Sequence, residues 1–162
     1  MKKFILILAA TVLATVAVSA QPRAIGARLG WGVEFSYQHS VGNNMVSAEL
    51  MLPAFAGVGA AATYDWLNPF GTAIPWNHKG EWNWYMGVGG GASCWFDGFL
   101  NIGVAGRIGV EYDFWFPLQL SFDWRPVIGP DIWFGGDSGA HVGFSGYGFY
   151  AGAISLGVRY KF

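Results

Sequence analysis

The chain has 162 residues, of which 53% are hydrophobic and 12% are charged, and its formal net charge is −1. Ordinary soluble domains carry about 25% charged residues, so this composition differs from that of a typical soluble surface. No basic patch suggests a nucleic acid partner. The only cysteine, Cys94, excludes a disulfide within the chain, and the length suits one domain.

The first 20 residues have the pattern of a secretory signal peptide. A basic start is followed by an apolar, uncharged run over 4–18, and small residues at 18–20 form a cleavage site. The apolar run is shorter than the roughly 20 residues that a transmembrane helix needs. We therefore predict a signal peptide that is cut between Ala20 and Gln21.

The mature domain, residues 21–162, alternates apolar residues with small or polar ones, as β-strands do. The first predicted strand covers 24–37, with apolar residues at odd positions and Arg28 and Glu34 among the even ones. This strand is longer than the 9–11 residues that span a bilayer in a tilted strand. Six further strands are predicted over 44–52, 56–66, 82–92, 100–114, 118–126 and 149–162.

These seven segments predict an all-β fold. Single-chain outer-membrane barrels normally have an even number of strands, so we place a missing strand within 127–148, where the alternation is poor. The mature domain is long enough for about eight strands with short connections. We expect a transmembrane, antiparallel, up-and-down β-barrel, and a soluble β-sandwich is the alternative.

The chain ends in a strand whose aromatic residues alternate. Ser155, Gly157, Tyr160 and Phe162 resemble the C-terminal signal by which the outer-membrane assembly machinery recognises barrel proteins. Aromatic rings also fall at other strand ends, which is typical of the aromatic girdles of membrane barrels. These rings belong to Phe35, Tyr37, Tyr64, Trp66, Trp82, Trp84, Tyr112, Phe114, Trp115 and Phe116.

The segments 83–89, 109–112, 120–126 and 157–162 carry a family resemblance. They resemble small outer-membrane β-barrels of the type of outer membrane protein X and the membrane domain of outer membrane protein A. They are most similar to porin-like barrels of Bacteroides-type bacteria whose role is not characterised. The resemblance implies a barrel in the outer membrane of a Gram-negative cell, and it implies no particular activity.

Motifs for catalysis or cofactors are weak. The glycine-rich run 87–92 lacks the following helix that a dinucleotide site needs. His39, His78 and His141 fall in predicted connections without the spacing of metal ligands. The adjacent His39 and Ser40 do not match the spacing of a lipid A deacylase. We therefore predict no catalytic residues, no cofactor and no metal.

The candidate site consists of charged residues at strand positions that are predicted to face the barrel interior. A barrel of about eight strands has an interior that side chains just fill, so ion pairs would close it, whereas a narrow selective pore is the alternative. We expect Arg107 to be held by Glu111 or Asp123. The cluster comprises Arg28, Glu34, Glu49, Asp65, Arg107, Glu111, Asp123, Arg125 and Arg159.

These observations predict a monomeric outer-membrane barrel with a structural or surface-interaction role and no catalysis. Its expected partners are outer-membrane lipid and, during biogenesis, the barrel assembly machinery, together with a surface ligand that the sequence does not identify. A narrow porin-like channel lined by arginine, glutamate and aspartate is the alternative function. A lipid-modifying enzyme is a third, less favoured function.

Overall fold

The computed structural model describes residues 22–71, 79–134, 140–144 and 153–162, all of them in strands or connections. The predicted signal peptide, including Ala20 and Gln21, lies outside the described residues, as does His78. The strands are β1 (Pro22–Leu29), β2 (Gly32–Val41), β3 (Asn44–Pro53), β4 (Gly57–Pro69), β5 (Gly80–Trp95), β6 (Phe99–Phe114), β7 (Gln119–Trp124), β8 (Val127–Ile128), β9 (Pro130–Phe134), β10 (Ala140–Phe144) and β11 (Ile154–Lys161).

The strands form a closed antiparallel barrel. Strands β1 to β7 pair in chain order, β7 also pairs with β11, and β11 pairs with β1. Strands β7, β8 and β9 all lie along β6, so they form one interrupted strand. Strand β10 pairs with β9 and β11 pairs with β7, so β10 and β11 lie along the same interrupted strand and occupy the eighth position of the barrel. The barrel therefore has eight strands, and the prediction of an all-β, antiparallel, up-and-down barrel of about eight strands is confirmed.

The first predicted strand is wrong, because residues 24–37 form a hairpin of β1 and β2. Leu29 pairs with Val33, and the turn contains Gly30 and Trp31. The paired residues are an even number of positions apart, so the alternation of faces continues through the turn. A Cβ at Gly30 would lie 2.5 Å from the carbonyl oxygen of Ile154, which explains the glycine at this close approach.

The position predicted for the missing strand is also wrong. Residues 127–148 contain β8 and β9, which continue the strand predicted over 118–126, and β10, which begins the last strand. The eighth strand comes instead from the division of the first predicted segment. His39 and His141 lie in β2 and β10, not in the connections where they were predicted.

The barrel has a polar interior and an apolar exterior. Among the described residues, the buried hydrophobic side chains are Ala24, Met45, Ala61, Tyr85 and Ala105, whereas the buried polar and charged side chains are far more numerous. Large apolar residues are exposed on the outer face, and they include Leu29, Leu50, Val88, Val104, Ile108, Leu120, Phe122 and Val158. This distribution is opposite to that of a soluble protein, which buries such residues.

Aromatic residues surround both ends of the barrel. The terminal end holds Pro22, Phe162 and the turn after β6, and there a chain of ring contacts joins Trp82, Tyr112, Phe114, Trp115 and Phe116. The opposite end, here called the distal end, holds the turns after β1, β3 and β5. Exposed rings there are those of Trp31, Phe55, Phe96, Phe134 and Phe144. Among the described residues, no helix is long and apolar enough to cross a membrane.

Candidate functional site

Every charged residue of the predicted interior cluster points into the barrel. All of them are buried except Glu34, whose side chain is 14% exposed. The antiparallel register brings together residues far apart in the chain, and these residues form three groups along the barrel. They are a central group, a group at the terminal end and a group at the distal end.

Arg107 is the centre of the middle group. Its guanidinium lies 3.1 Å from Glu49, 3.2 Å from Asp65 and 3.1 Å from Asp123. It also lies over the ring of Tyr85, 5.0 Å from the centroid. These carboxylates come from β3, β4 and β7, so one side chain on β6 links strands across the lumen.

Asp123 connects Arg107 to Arg28, a second arginine of the centre. It accepts a hydrogen bond from the hydroxyl of Tyr85 at 2.8 Å and forms an ion pair with Arg28. Arg28 also pairs with Glu34. Of the two partners predicted for Arg107, Asp123 is therefore present, and Glu111 is replaced by other carboxylates.

Glu111 belongs to the group at the terminal end, where it pairs with Arg23. Arg23 also lies 3.3 Å from Asp113 and donates a hydrogen bond to Gln38 at 2.8 Å. Arg23 was not in the predicted cluster, because it precedes the strand predicted over 24–37, and continuing the alternation of that strand would place an odd-numbered residue on the outer face. The register shift between Pro22 and Ala24 in the pairing of β1 with β2 changes that parity. No signal in the sequence marks this bulge.

Arg159 is held by neutral groups. It donates to Ser36 at 2.9 Å, Gln119 at 3.1 Å and Ser121 at 2.7 Å. No carboxylate of the described residues lies within ion-pair distance of it. Its guanidinium therefore offsets part of the negative charge of the nearby carboxylates without a direct ion pair.

Arg125 belongs to the distal group. It lies 2.8 Å from Glu34, and the sulfur of Met51 lies 3.1 Å from the same nitrogen, Nη2. The described part of the chain gives its Nε and Nη1 no hydrogen-bond partner. Here the lumen widens into a cavity of about 640 Å³, whose lining includes Trp31, Trp95 and Arg125.

Glycines in β5 leave room for the central group. A Cβ at Gly87 would collide with the carboxylate of Asp65, and one at Gly91 would lie 3.3 Å from the Cβ of Ala61. The glycine-rich run 87–92 thus forms part of the barrel wall, and no phosphate-binding turn is present in this segment. In the described ranges, no three metal-ligand side chains cluster together.

The residues of the predicted C-terminal signal lie in β11 and at the chain end. Ser155 is buried, and Gly157 faces Ser121 and the guanidinium of Arg159 inside the barrel. Tyr160 and Phe162 are exposed on the outer face, with their rings 5.2 Å apart. No family model, curated protein or solved structure matches this chain.

Proposed function

We propose that this protein is an integral outer-membrane β-barrel with a closed lumen, which has a structural or surface-interaction role and no catalysis. The apolar outer face of a polar-cored barrel carries this proposal. Soluble monomers rarely expose contiguous apolar patches larger than a few hundred Å², whereas lipid is the natural environment for such a surface. The predicted export signal and terminal strand support the same location.

The ion pairs support a closed lumen. Arg107 on β6 pairs with Glu49 and Asp65 on the non-adjacent strands β3 and β4, and with Asp123 on the neighbouring strand β7. Because buried charges must be paired or hydrated, the central group gains its stability from the contacts that block the passage. The function then lies at the two ends of the barrel, where loops carry most binding residues in proteins.

Two adjacent residues test the membrane location. In a background with Cys94 replaced by serine, a spin label would be placed at Val104, which is 66% exposed, or at Ala105, which is 0% exposed. In lipid vesicles, we expect high oxygen accessibility at Val104 and low accessibility to both oxygen and a water-soluble nickel complex at Ala105. If the label at Val104 were as accessible to the nickel complex as to oxygen, this result would contradict insertion into the membrane.

A narrow channel is the second candidate function. Several buried polar atoms lack a partner among the described residues, including Arg28 Nε, Glu49 Oε2, Asp65 Oδ1 and Arg107 Nε. Such atoms favour water inside the lumen. In planar bilayers, the closed barrel should give no discrete current steps. Steps whose ion selectivity changes in Arg107→Met would establish the channel instead.

A further inference from the structure

The distal cavity has aromatic walls and reaches the mouth of the barrel. Its volume of about 640 Å³ falls within the range of about 300–1,000 Å³ that is usual for small-molecule sites. The turns 30–31, 54–56 and 96–98 at this end have two or three residues each, so they are too short to fold over the mouth. The aromatic residues of the lining are Trp31, Trp95, Phe99 and Trp133.

These rings can attract a positively charged ligand. Trp31 is 56% exposed and Trp133 is 39% exposed, and the rings of Phe99 and Trp133 lie 5.3 Å apart. The face of an aromatic ring carries partial negative charge. It therefore attracts a cation, and the indole ring of tryptophan does so most strongly.

The charges of the lining favour a cation as well. In the described chain, the lining contains three carboxylates, Glu34, Asp97 and Asp131, and one arginine, Arg125. Arg125 lies 2.8 Å from Glu34, and its Nε and Nη1 are buried, so its charge is directed at Glu34 and not into the cavity. Glu34 is also paired with Arg28. The excess negative charge of the cavity therefore belongs to the two aspartates.

Asp97 is the carboxylate that a ligand at the mouth can reach. Its side chain is exposed, whereas Asp131 is buried and accepts a hydrogen bond from Asn101 at 2.6 Å. Oδ1 of Asp97 accepts a hydrogen bond from the backbone nitrogen of Phe99 at 3.3 Å, so Oδ2 can accept one from a ligand. Asp97 lies on the turn between Trp95 and Phe99, which places the carboxylate and two of the rings on one hairpin.

We propose that the distal cavity binds an organic cation, in which an ammonium group is joined to an apolar body. The ammonium group lies at the mouth, beside Asp97 and the indole rings, and the apolar body packs against Met51 and Val127, which also line the cavity. Aromatic side chains are a common means of recognising ammonium groups. This inference rests on the proposed surface-interaction role and names a class of ligand for it.

Three methionines in the described chain make the test specific. Met51 lines the cavity, Met86 is 46% exposed on the outer face, and Met45 is buried near Arg23 at the terminal end. Mature protein with ¹³C-labelled methionine methyl groups would be studied by NMR in dodecyl maltoside micelles, which carry no charge and no ammonium group. It would be titrated at neutral pH with phenylbutylamine, phenylbutanol and phenylbutanoate, which are similar in size and differ in the charge of the head group.

We expect phenylbutylamine to shift the Met51 methyl signal saturably, at one molecule per barrel, and to bind roughly tenfold more tightly than phenylbutanol. Phenylbutanoate should bind more weakly than the alcohol. The proposal is wrong if the amine binds no more tightly than the alcohol or if Met51 does not respond. Equal shifts of Met51 and Met86 would also overturn it, since they show only partition into the micelle. The spin-label experiment at Val104 tests the membrane location separately, so failure of either proposal can be recognised by itself.

Two variants connect the preference for the amine to the cavity. Asp97→Asn keeps an oxygen that can accept from the backbone of Phe99 and removes the charge, and it should reduce the ratio of amine to alcohol affinity by roughly threefold or more. Trp95→Leu keeps an apolar wall and removes an indole ring, and it should reduce the same ratio by a similar factor. The matched control is Trp115→Leu at the terminal end, which should leave the ratio unchanged. An unchanged ratio in Asp97→Asn and Trp95→Leu would assign the ammonium group to another part of the protein and overturn the proposal.

Discussion

Replacing Arg107 with methionine tests the central group directly. The substitution keeps a long side chain and removes the cation that lies between Glu49, Asp65 and Asp123. Asp123 keeps its contacts with Arg28 and Tyr85. Asp65 loses its one ion pair among the described residues, and it retains only the hydroxyl groups of Ser47 and Thr63.

Removing one partner of a buried ion pair costs about 3–5 kcal/mol. We therefore expect Arg107→Met to lower the free energy of unfolding by about 4 kcal/mol. With an m-value of about 2 kcal/mol/M, the urea midpoint of reversible unfolding in lipid vesicles falls by about 2 M. Adding Asp65→Asn should restore part of this loss, because the unpaired charge is then removed.

The matched control is Val104→Met on the outer face of the same strand, which should change the free energy of unfolding by no more than about 0.5 kcal/mol. If Arg107→Met unfolds at the same urea concentration as the unmodified protein, the central ion pairs do not stabilise the barrel. If Asp65→Asn gives no recovery, the loss has a cause other than an unpaired carboxylate.

Three further expectations concern the surface and the two chain ends. Val104→Arg, near the middle of β6, should lower the free energy of unfolding in vesicles by about 2–4 kcal/mol. Ser93→Arg, whose side chain enters the cavity, should lower this free energy by less. Equal losses would contradict the assignment of faces. Deleting Phe162 or changing Tyr160 to glutamate should remove the heat-modifiable, protease-resistant form from the outer membrane, and normal amounts of that form would refute the assembly signal. N-terminal sequencing of the membrane-bound protein should begin at Gln21, and a retained leader would refute the predicted cut.

The sequence was sufficient to predict the barrel and to assign most side chains to its inner or outer face. In a strand, alternate side chains occupy opposite faces of the sheet. The assignment of residues to a face can therefore be correct even where the position of a turn is predicted wrongly. The hairpin of β1 and β2 illustrates the point. Its turn preserves the odd and even faces, so Arg28 and Glu34 were assigned correctly to the interior although they were placed on one strand. The glycines on either side of Trp31 are the signal of this turn.

The partners within the interior could not be predicted in the same way. Which carboxylate meets which arginine depends on the register between strands and on side chains that cross the lumen. Arg107 reaches Glu49 and Asp65 on strands that are not adjacent to β6. A bulge turns the side chain of Arg23 inward, where it forms an ion pair with Glu111. The distal cavity likewise depends on several strands at once, so no single segment reveals it.

The ion pairs that cross the lumen have a consequence for how the barrel is made. Arg23 on the first strand meets Glu111, which is 88 residues later in the chain, and the first strand pairs with the last. In a partly assembled sheet, some arginines and carboxylates are therefore unpaired, because the strands that carry their partners are not yet in place. Contacts between distant parts of a chain slow folding, and in the proposed membrane location unpaired charges would also make intermediates unfavourable in lipid. Insertion and closure should therefore occur together, late, and in a single cooperative step.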